Sequence, residues 1–568
     1  MPKRPHSPSL DSILSVKHAH TFSVKHPNQH TISNFDTVLS DETVLAIFAF
    51  LDPYHLCLVR LVNKHWSRLA TDNHLWRVMF LREFSRSRLR GSRGFTTSAT
   101  REIKPLPSRA QAHGDEHSLD DSLPENYTDW RWMFRISSNW SRGRCTATVQ
   151  RALPRPVTGY PLLGSPSSSF GGAMHFNSDS DFLQTPHILL AGDLTVYASG
   201  QLSSAPMVYI FRDTISSGLR IRYDLPPDSL VSVTALCLDH SSASTRLAIF
   251  YSDHSWTIRT VEYERRHIAI DYSSTRPRSS ISSATIVKAA FHYPLLVTLS
   301  SSFRMCIYYL PTPPAPPMLK HTLLSYSGFT PLTMTIARYR TPDQYRVLLA
   351  HASPIYPSHW GPSATDIAIS VQPASDSFGT PSSAPRNPSH VRILSSSNTN
   401  NQLPVGWIPD GTPDCIPEDL RLRWLRKVSH VSGIQTDGKF VVFASEDGGI
   451  QVYRLLRNAR LLYERTLFPP THAPSPRALT VADSRCVCAT RDGGLWVWDL
   501  ETGVGIQATA ISSSHTPNGI DMSSVGTRND GVGDIAGNPP RIVRVVFDAH
   551  KIVAVDVNDA LYTYSFDT

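Results

Sequence analysis

Apolar positions along this chain recur with two different periods. Between Ser40 and Asp52 they fall at helical spacing, on Val44, Leu45, Ile47, Phe48 and Leu51. Ser40 stands where a helix cap belongs, Asp41 and Glu42 suit the positive end of the helix dipole, and Asp52-Pro53 ends the run. Leu56, Val59, Leu61 and Val62 predict a second short helix, and Trp66, Leu69, Leu75 and Trp76 a third. So small a helical unit buries little surface alone, so a partner is expected to complete its core.

Further along, short apolar runs replace the helical period. Asp447-Gly448-Gly449-Ile450-Gln451-Val452-Tyr453 and Asp492-Gly493-Gly494-Leu495-Trp496-Val497-Trp498-Asp499 stand 45 residues apart in register, each preceded by an apolar strand. Each unit reads strand, tight turn, strand, with glycines tolerating positive φ. Weaker copies follow at Leu247–Ile258, Leu295–Tyr309 and Ile552–Tyr564. With strands at 187–212 and 331–372, about seven units centre near 200, 250, 300, 350, 440, 490 and 550. A closed seven-bladed β-propeller is the reading, and a β-sandwich of the same strands the alternative topology. The Ser/Pro/Asn-rich stretch near 373–427 and the Gly/Ser stretch near 505–540 are expected to be loop insertions.

Two segments join helices to repeats. Residues 81–126 read as a basic, polar linker; between Arg77 and Arg109 stand nine basic residues against Glu83 and Glu102. Asp129–Gly143 then places Trp130, Met133 and Phe134 on one helical face, with Trp140 anchoring the exit. Residues 1–34, polar and dotted with histidines, are read as a disordered tail.

Composition adds exclusions. The 568 residues carry a net charge of +8, and 43 prolines against 29 glycines favour strands and loops over a helical protein. No apolar stretch approaches a membrane span, and the start lacks a signal-like apolar core. Seven scattered cysteines form no CxxC pair, so neither a disulfide framework nor a metal site is expected; Cys486 and Cys488 alternate as in a buried strand. Asn126 and Asn139 satisfy the glycosylation triplet but are read as structural in a chain expected in the cytoplasm and/or nucleus.

The run Phe35–Pro53, continued by Leu58–Ala70, Asp72, Leu75 and Trp76, resembles an F-box. This chain has Leu39-Ser40 where that family usually has Leu-Pro, and Asn63 where it usually has Cys or Ser. The segment Asn139-Trp140-Ser141-Arg142-Gly143 resembles the signature joining F-box to propeller in F-box/WD-repeat proteins, although only Trp498-Asp499 keeps the Trp-Asp pair. The expected fold is therefore mostly β: tail 1–34, F-box 35–80, linker 81–126, linker helix 127–145 and a propeller over 150–568.

What the resemblance implies is a substrate-recognition subunit of an SCF-type E3 ubiquitin ligase. Leu39, Ser40, Glu42, Val44, Leu45, Ile47, Phe48, Leu51, Leu56 and Trp66 would bind the Skp-type adaptor and, through it, the cullin–RING core. The propeller would capture a substrate protein not yet identified. No catalytic motif is found: no Walker loop, His-Glu-x-x-His, Gly-x-Ser-x-Gly elbow or kinase signature, and no cofactor or metal is implied. One constellation stands out on the blades. Matching Arg477–Ala482 with Arg544–Ala549 puts Arg477 and Arg544 at equal register in adjacent units, with Arg491 before the Asp-Gly-Gly turn. Three guanidinium forks there would suit a phosphate, and phosphodegron-reading relatives carry arginines in similar places. The rival readings are a propeller scaffold without a ligase role, and a nucleic-acid-associated protein using residues 77–109.

Overall fold

The structure, a computed structural model, describes residues 39–84, 103–104, 129–150, 185–212, 215–224, 229–239, 241, 244–274, 284–325, 329–339, 343–356, 359–372, 390–399, 418–446, 449–468, 476–510 and 540–567. The expected tail 1–34, most of the basic stretch, Asn126 and the turn residues Asp447 and Gly448 lie outside them. The chain divides into two compact units, Met1–Met79 and Phe80–Thr568.

In the first unit each helix starts on a side-chain cap. The Ser40 hydroxyl accepts the Thr43 amide at 3.4 Å ahead of α1 (Asp41–Phe48). Asp52 accepts the His55 amide at 2.8 Å, with Pro53 opening α2 (Pro53–Val59) where no amide donor is needed. Asn63 accepts the Trp66 amide at 2.7 Å for α3 (Lys64–Leu69), and Asp72 accepts the Leu75 amide at 3.1 Å as α4 (Asn73–Phe84) begins. Val44, Phe48, Leu56, Leu69 and Trp76 are buried, and Trp66 meets Phe48 edge-on with centroids 5.7 Å apart. The Trp76 indole N–H donates to the Ala70 carbonyl at 2.8 Å, so the ring is buried with its polar atom satisfied.

The second unit is a seven-bladed β-propeller. Its innermost strands are His187–Ala191, Val233–Leu238, Ile286–His292, Phe329–Arg338, Val431–Thr436, Pro476–Ala482 and Ile542–Phe547, for blades 1 to 7 in that order. Each packs against the next, and the last packs against the first, which closes the ring. Every blade is an antiparallel meander outward from that strand. Among the described residues, seven apolar clusters lie one between each adjacent pair of blades, so every blade buries both faces against neighbours. This ring replaces the sandwich alternative.

Closure comes from the N-terminal side of the ring. Blade 7 takes three strands from the end of the chain, Ile542–Phe547, Lys551–Asp556 and Leu561–Ser565, and its outer strand is Arg144–Gln150, antiparallel to Leu561–Ser565. The ring therefore starts before residue 150, and a strand follows the linker helix directly. That helix, α5 (Trp130–Arg142), is capped by Asp129 and ends at Gly143 with φ +66°. A side chain there is excluded, since a Cβ would stand 2.2 Å from the Gln507 carbonyl oxygen.

Expected insertions also contain structure. His390–Asn398 is the outer strand of blade 4, and Glu418–Leu425 forms helix α6. Gly505–Gln507 is the outer strand of blade 6, and Thr509–Ala510 pairs in parallel with Arg144–Cys145. Inside the expected basic linker, Ile103–Lys104 pairs in parallel with Leu190–Ala191. Polar composition hid the strands His390–Asn398 and Gly505–Gln507 because outer strands need only one buried face. No described helix is long and apolar enough to cross a membrane.

Candidate functional site

Two surfaces carry the chemistry expected from the sequence. On the helical unit the ten residues expected to meet an adaptor take different places. Val44, Phe48 and Leu56 are inside, Trp66 is half-buried against Phe48, and Ser40 caps α1. Leu39, Leu45 and Leu51 are half-buried, while Glu42 and Ile47 are exposed. The open apolar surface is larger than that set: Phe50 is 88% and Leu61 82% exposed, and Tyr54, Leu58 and Val62 are exposed with Ile47. Phe50, Leu61 and Val62 lie in the turns after α1 and α2, so the second helix stops at Val59, short of the Leu61 and Val62 expected in it, and periodicity does not tell an inward apolar position from an outward one. That much exposed apolar side chain on one small unit is the mark of an interaction surface.

On the ring, the starts of the innermost strands and the turns between second and third strands share one face. Blade 6 offers Arg477 in its first strand and Arg491 at the tip of the next turn, where Gly493 adopts φ +79° and its amide donates to the Thr490 carbonyl at 3.0 Å. The expected register with blade 7 is off by one residue. Ala482 pairs with Arg485 and Val481 with Cys486, whereas Phe547 pairs with Ile552, so Phe547 answers to Val481. Arg544 therefore stands level with Ala478, and Arg477 is level with Val543, both at a bulge in the strand.

Electrostatics follow that register. Burial lowers the Arg477 pKa first, and the charges of Arg541 and Arg491 lower it further. The charges that bear on Arg477 are thus those of Arg491 and Arg541; none of the three has an ion pair or a side-chain hydrogen bond among the described residues. Arg544 acts elsewhere. Burial drives the His187 imidazole down to about 3, with the charges of Arg544 and Lys288 adding to it, while His187 Nε2 lies 3.0 Å from the Val233 carbonyl. Sequence reasoning passed over Arg541 because it precedes the strand Ile542–Phe547.

Other candidates resolve as packing. Cys486 and Cys488 are buried between blades 5 and 6, where burial pushes the Cys488 thiol up to about 12 and Cys486 upward as well. Asn139 donates to the Phe566 carbonyl at 2.8 Å, tying α5 to the end of the chain. Among the described residues no group of His, Cys, Asp or Glu is placed to hold a metal ion.

Residues 41–82 match the F-box-like family. A segment of 124 residues, 21% of this chain, is 27% identical to the probable E3 ubiquitin ligase complex SCF subunit sconB of Arthroderma benhamiae, and likewise to that of Trichophyton verrucosum. The match spans 19% of the length of those relatives. Among solved structures, the β-propeller domain of Myceliophteria thermophila Cps50 (Swd1) is 9% identical, with a TM-score of 0.35, covering 66% of this chain and 93% of that one. The chain thus joins an F-box-like segment to a seven-bladed propeller, as F-box/WD-type proteins do, and the blade count rests on the strand order itself.

Proposed function

We propose that this protein is the substrate-recognition subunit of an SCF-type ubiquitin ligase. The observation that carries the reading is the F-box-like match over residues 41–82 on a unit that leaves Ile47, Phe50, Tyr54, Leu58, Leu61 and Val62 exposed. Such a surface fits a Skp-type adaptor, and through it a cullin–RING core in the cytoplasm or nucleus. The propeller's role is capture, with Arg477, Arg491 and Arg541 as the anion-binding part of its face. The receptor performs no bond chemistry of its own. It raises the effective concentration of a substrate lysine at the charged ubiquitin-conjugating enzyme, which accelerates transfer by positioning.

The deciding experiment is affinity purification of the full chain with the proteasome inhibited, beside a variant lacking residues 39–84. Adaptor and cullin should co-purify with the full chain only, while substrate proteins are retained by both and carry ubiquitin with the full chain. Absence of the adaptor from the full-chain sample rejects the ligase reading and leaves a propeller scaffold. A salt-dependent shift of bulk DNA by the full chain, lost when the arginines and lysine of 77–109 are neutralised, would instead favour nucleic-acid association.

A further inference from the structure

Blade 4 differs from its neighbours in length and lining. Its second and third strands, Gln344–Tyr356 and His359–Gln372, run 13 and 14 residues, against five to seven in the other blades. The pairing continues from Gln344 opposite Ser370 out to Tyr356 opposite His359, so the hairpin is long and unbroken for most of its course. Between it and blade 3 lies a cleft of about 760 Å³, a volume in the range of small-molecule sites.

The two walls are unlike. On blade 3, Leu299 pairs with Met305 and Met305 with Leu323, which makes a continuous apolar surface flanked by Phe303. On blade 4, alternate residues of the second strand face the cleft, and they change from apolar Leu349 to His351 and Ser353. Opposite them across the hairpin stand Thr365, Ser363 and Gly361. The apolar cluster between blades 3 and 4 takes in Leu299, Met305 and Leu349, and beyond Leu349 the polar residues of blade 4 line the cleft. Among the described residues no Asp, Glu, Lys or Arg lines it.

His351 is the polar centre of this wall. Only 6% of it is exposed, and its Nδ1 is buried with no hydrogen-bond partner. Burial holds the imidazole neutral, with a pKa of about 4. A buried ring nitrogen without a partner is costly, so its retention next to a cleft points to a group that enters and bonds to it. An ion is the wrong guest, because no charged side chain among the described lining residues would compensate its charge.

We propose that this cleft binds an uncharged amphipathic small molecule, its apolar body against Leu299, Met305 and Leu323 and a hydroxyl group hydrogen-bonded to His351. The site is separate from the arginine cluster, which lies on blades 6 and 7. It does not depend on the ligase reading.

The test uses the full-length protein and 4-hexylresorcinol, which joins an apolar tail to two hydroxyls. Calorimetry should register binding, and the methyl resonance of Met305, assigned with Met305→Leu, should shift in methionine-labelled protein. The dimethoxy ether of the same molecule, which has lost its donors, and the anion 4-hexylbenzoate should each bind at least tenfold more weakly. His351→Leu should weaken the resorcinol at least tenfold and bring the ether level with it. Should that variant not fold, Ser363→Trp, which fills the cleft from its hydroxyl-lined side, should abolish the Met305 shift. Binding of the ether or the benzoate as strong as that of the resorcinol, an unmoved Met305 signal at saturation, or full affinity in Ser363→Trp overturns the proposal.

Discussion

Trp140 lies flat on Phe566, ring centroids 3.8 Å apart and planes 13° from parallel, across 426 residues of chain. The indole N–H of Trp140 donates to the Ala549 carbonyl at 2.8 Å, and the Trp132 indole donates to Asp567 at 3.0 Å. Asp567 also pairs with Arg135. Helix α5 is therefore fastened to the last residues of the ring, immediately before the strand Arg144–Gln150 that completes blade 7.

This arrangement predicts where the ring is most easily opened. Trp140→Ala removes a buried indole and its hydrogen bond, a change that costs about 3–5 kcal/mol in a packed core. A propeller beginning at residue 151 also lacks the outer strand of blade 7 and leaves Leu561–Ser565 as an open edge. Thermal unfolding and gel filtration of both should show a lower Tm for the substitution and aggregation for the truncation. A truncated ring as heat-resistant as the full chain would show that the N-terminal strand does not close it.

The helical unit makes a separate prediction, built on the difference between inward and outward apolar residues. Leu61→Asp places a carboxylate on an exposed surface and should remove adaptor co-purification while the circular dichroism of the protein is unchanged. Val44→Asp buries a charge beside Phe48 and Leu56 and should lose helical signal first. Retention of the adaptor by Leu61→Asp would move the docking surface elsewhere on the unit.

Sequence patterning was informative wherever both faces of a strand are buried. Phe440–Ser445 and Arg485–Thr490, read as apolar strands before their turns, are buried throughout. It was weak for outer strands: in Arg144–Gln150 only Cys145 is buried, so no apolar alternation announces the strand. It also failed at one register. Arg477–Ala482 and Arg544–Ala549 look alike residue by residue, but strand pairing is set by the inner hairpins, where Asp548 answers to Ala482. With the one-residue shift Val543, not Arg544, stands level with Arg477, and the blade 7 charge that bears on Arg477 is that of Arg541, just before the strand.

A pH prediction comes from the blade 6 hairpin. Asp483 sits there at φ +51°, and its Oδ1 is buried without a hydrogen-bond partner. Burial raises its pKa to about 7, with Asp437 and Asp548 adding to the rise and Arg485 opposing it. The folded state then holds a proton that the unfolded chain, with an ordinary carboxyl pKa of about 4, has released. Its contribution is fully present below pH 4 and is lost as pH rises from about 4 to 7. Asparagine keeps the shape and tolerates positive φ, so Asp483→Asn should raise Tm at pH 8 and flatten the pH dependence between 4 and 7. His351, lowered to about 4, has the opposite slope: folding loses stability as pH falls from about 6.5 through 4. A Tm-against-pH series for wild type and Asp483→Asn separates the two, and parallel curves would show that Asp483 is an ordinary carboxylate.

The last prediction distinguishes the arginines. Arg477, Arg491 and Arg541 bring three positive charges together without an ion pair among the described residues, an arrangement whose mutual repulsion an anion relieves. Arg544 lies at a different register, with His187 and Lys288. A phosphopeptide bound on this face should therefore lose about 1.5–3 kcal/mol with Ala at position 477, 491 or 541, the worth of a charge-assisted hydrogen bond. Arg544→Ala should leave its affinity within twofold. Arg491→Lys keeps the charge but not the planar fork, so it should weaken binding less than Ala yet measurably, and raising salt should narrow the difference. Fluorescence anisotropy with substrate-derived phosphopeptides, recovered by the affinity purification and compared with their dephosphorylated forms, gives the values. If Arg544→Ala proves as damaging as Arg541→Ala, the anion is held at the centre of the ring; if dephosphorylated peptides bind equally, the cluster does not read phosphate.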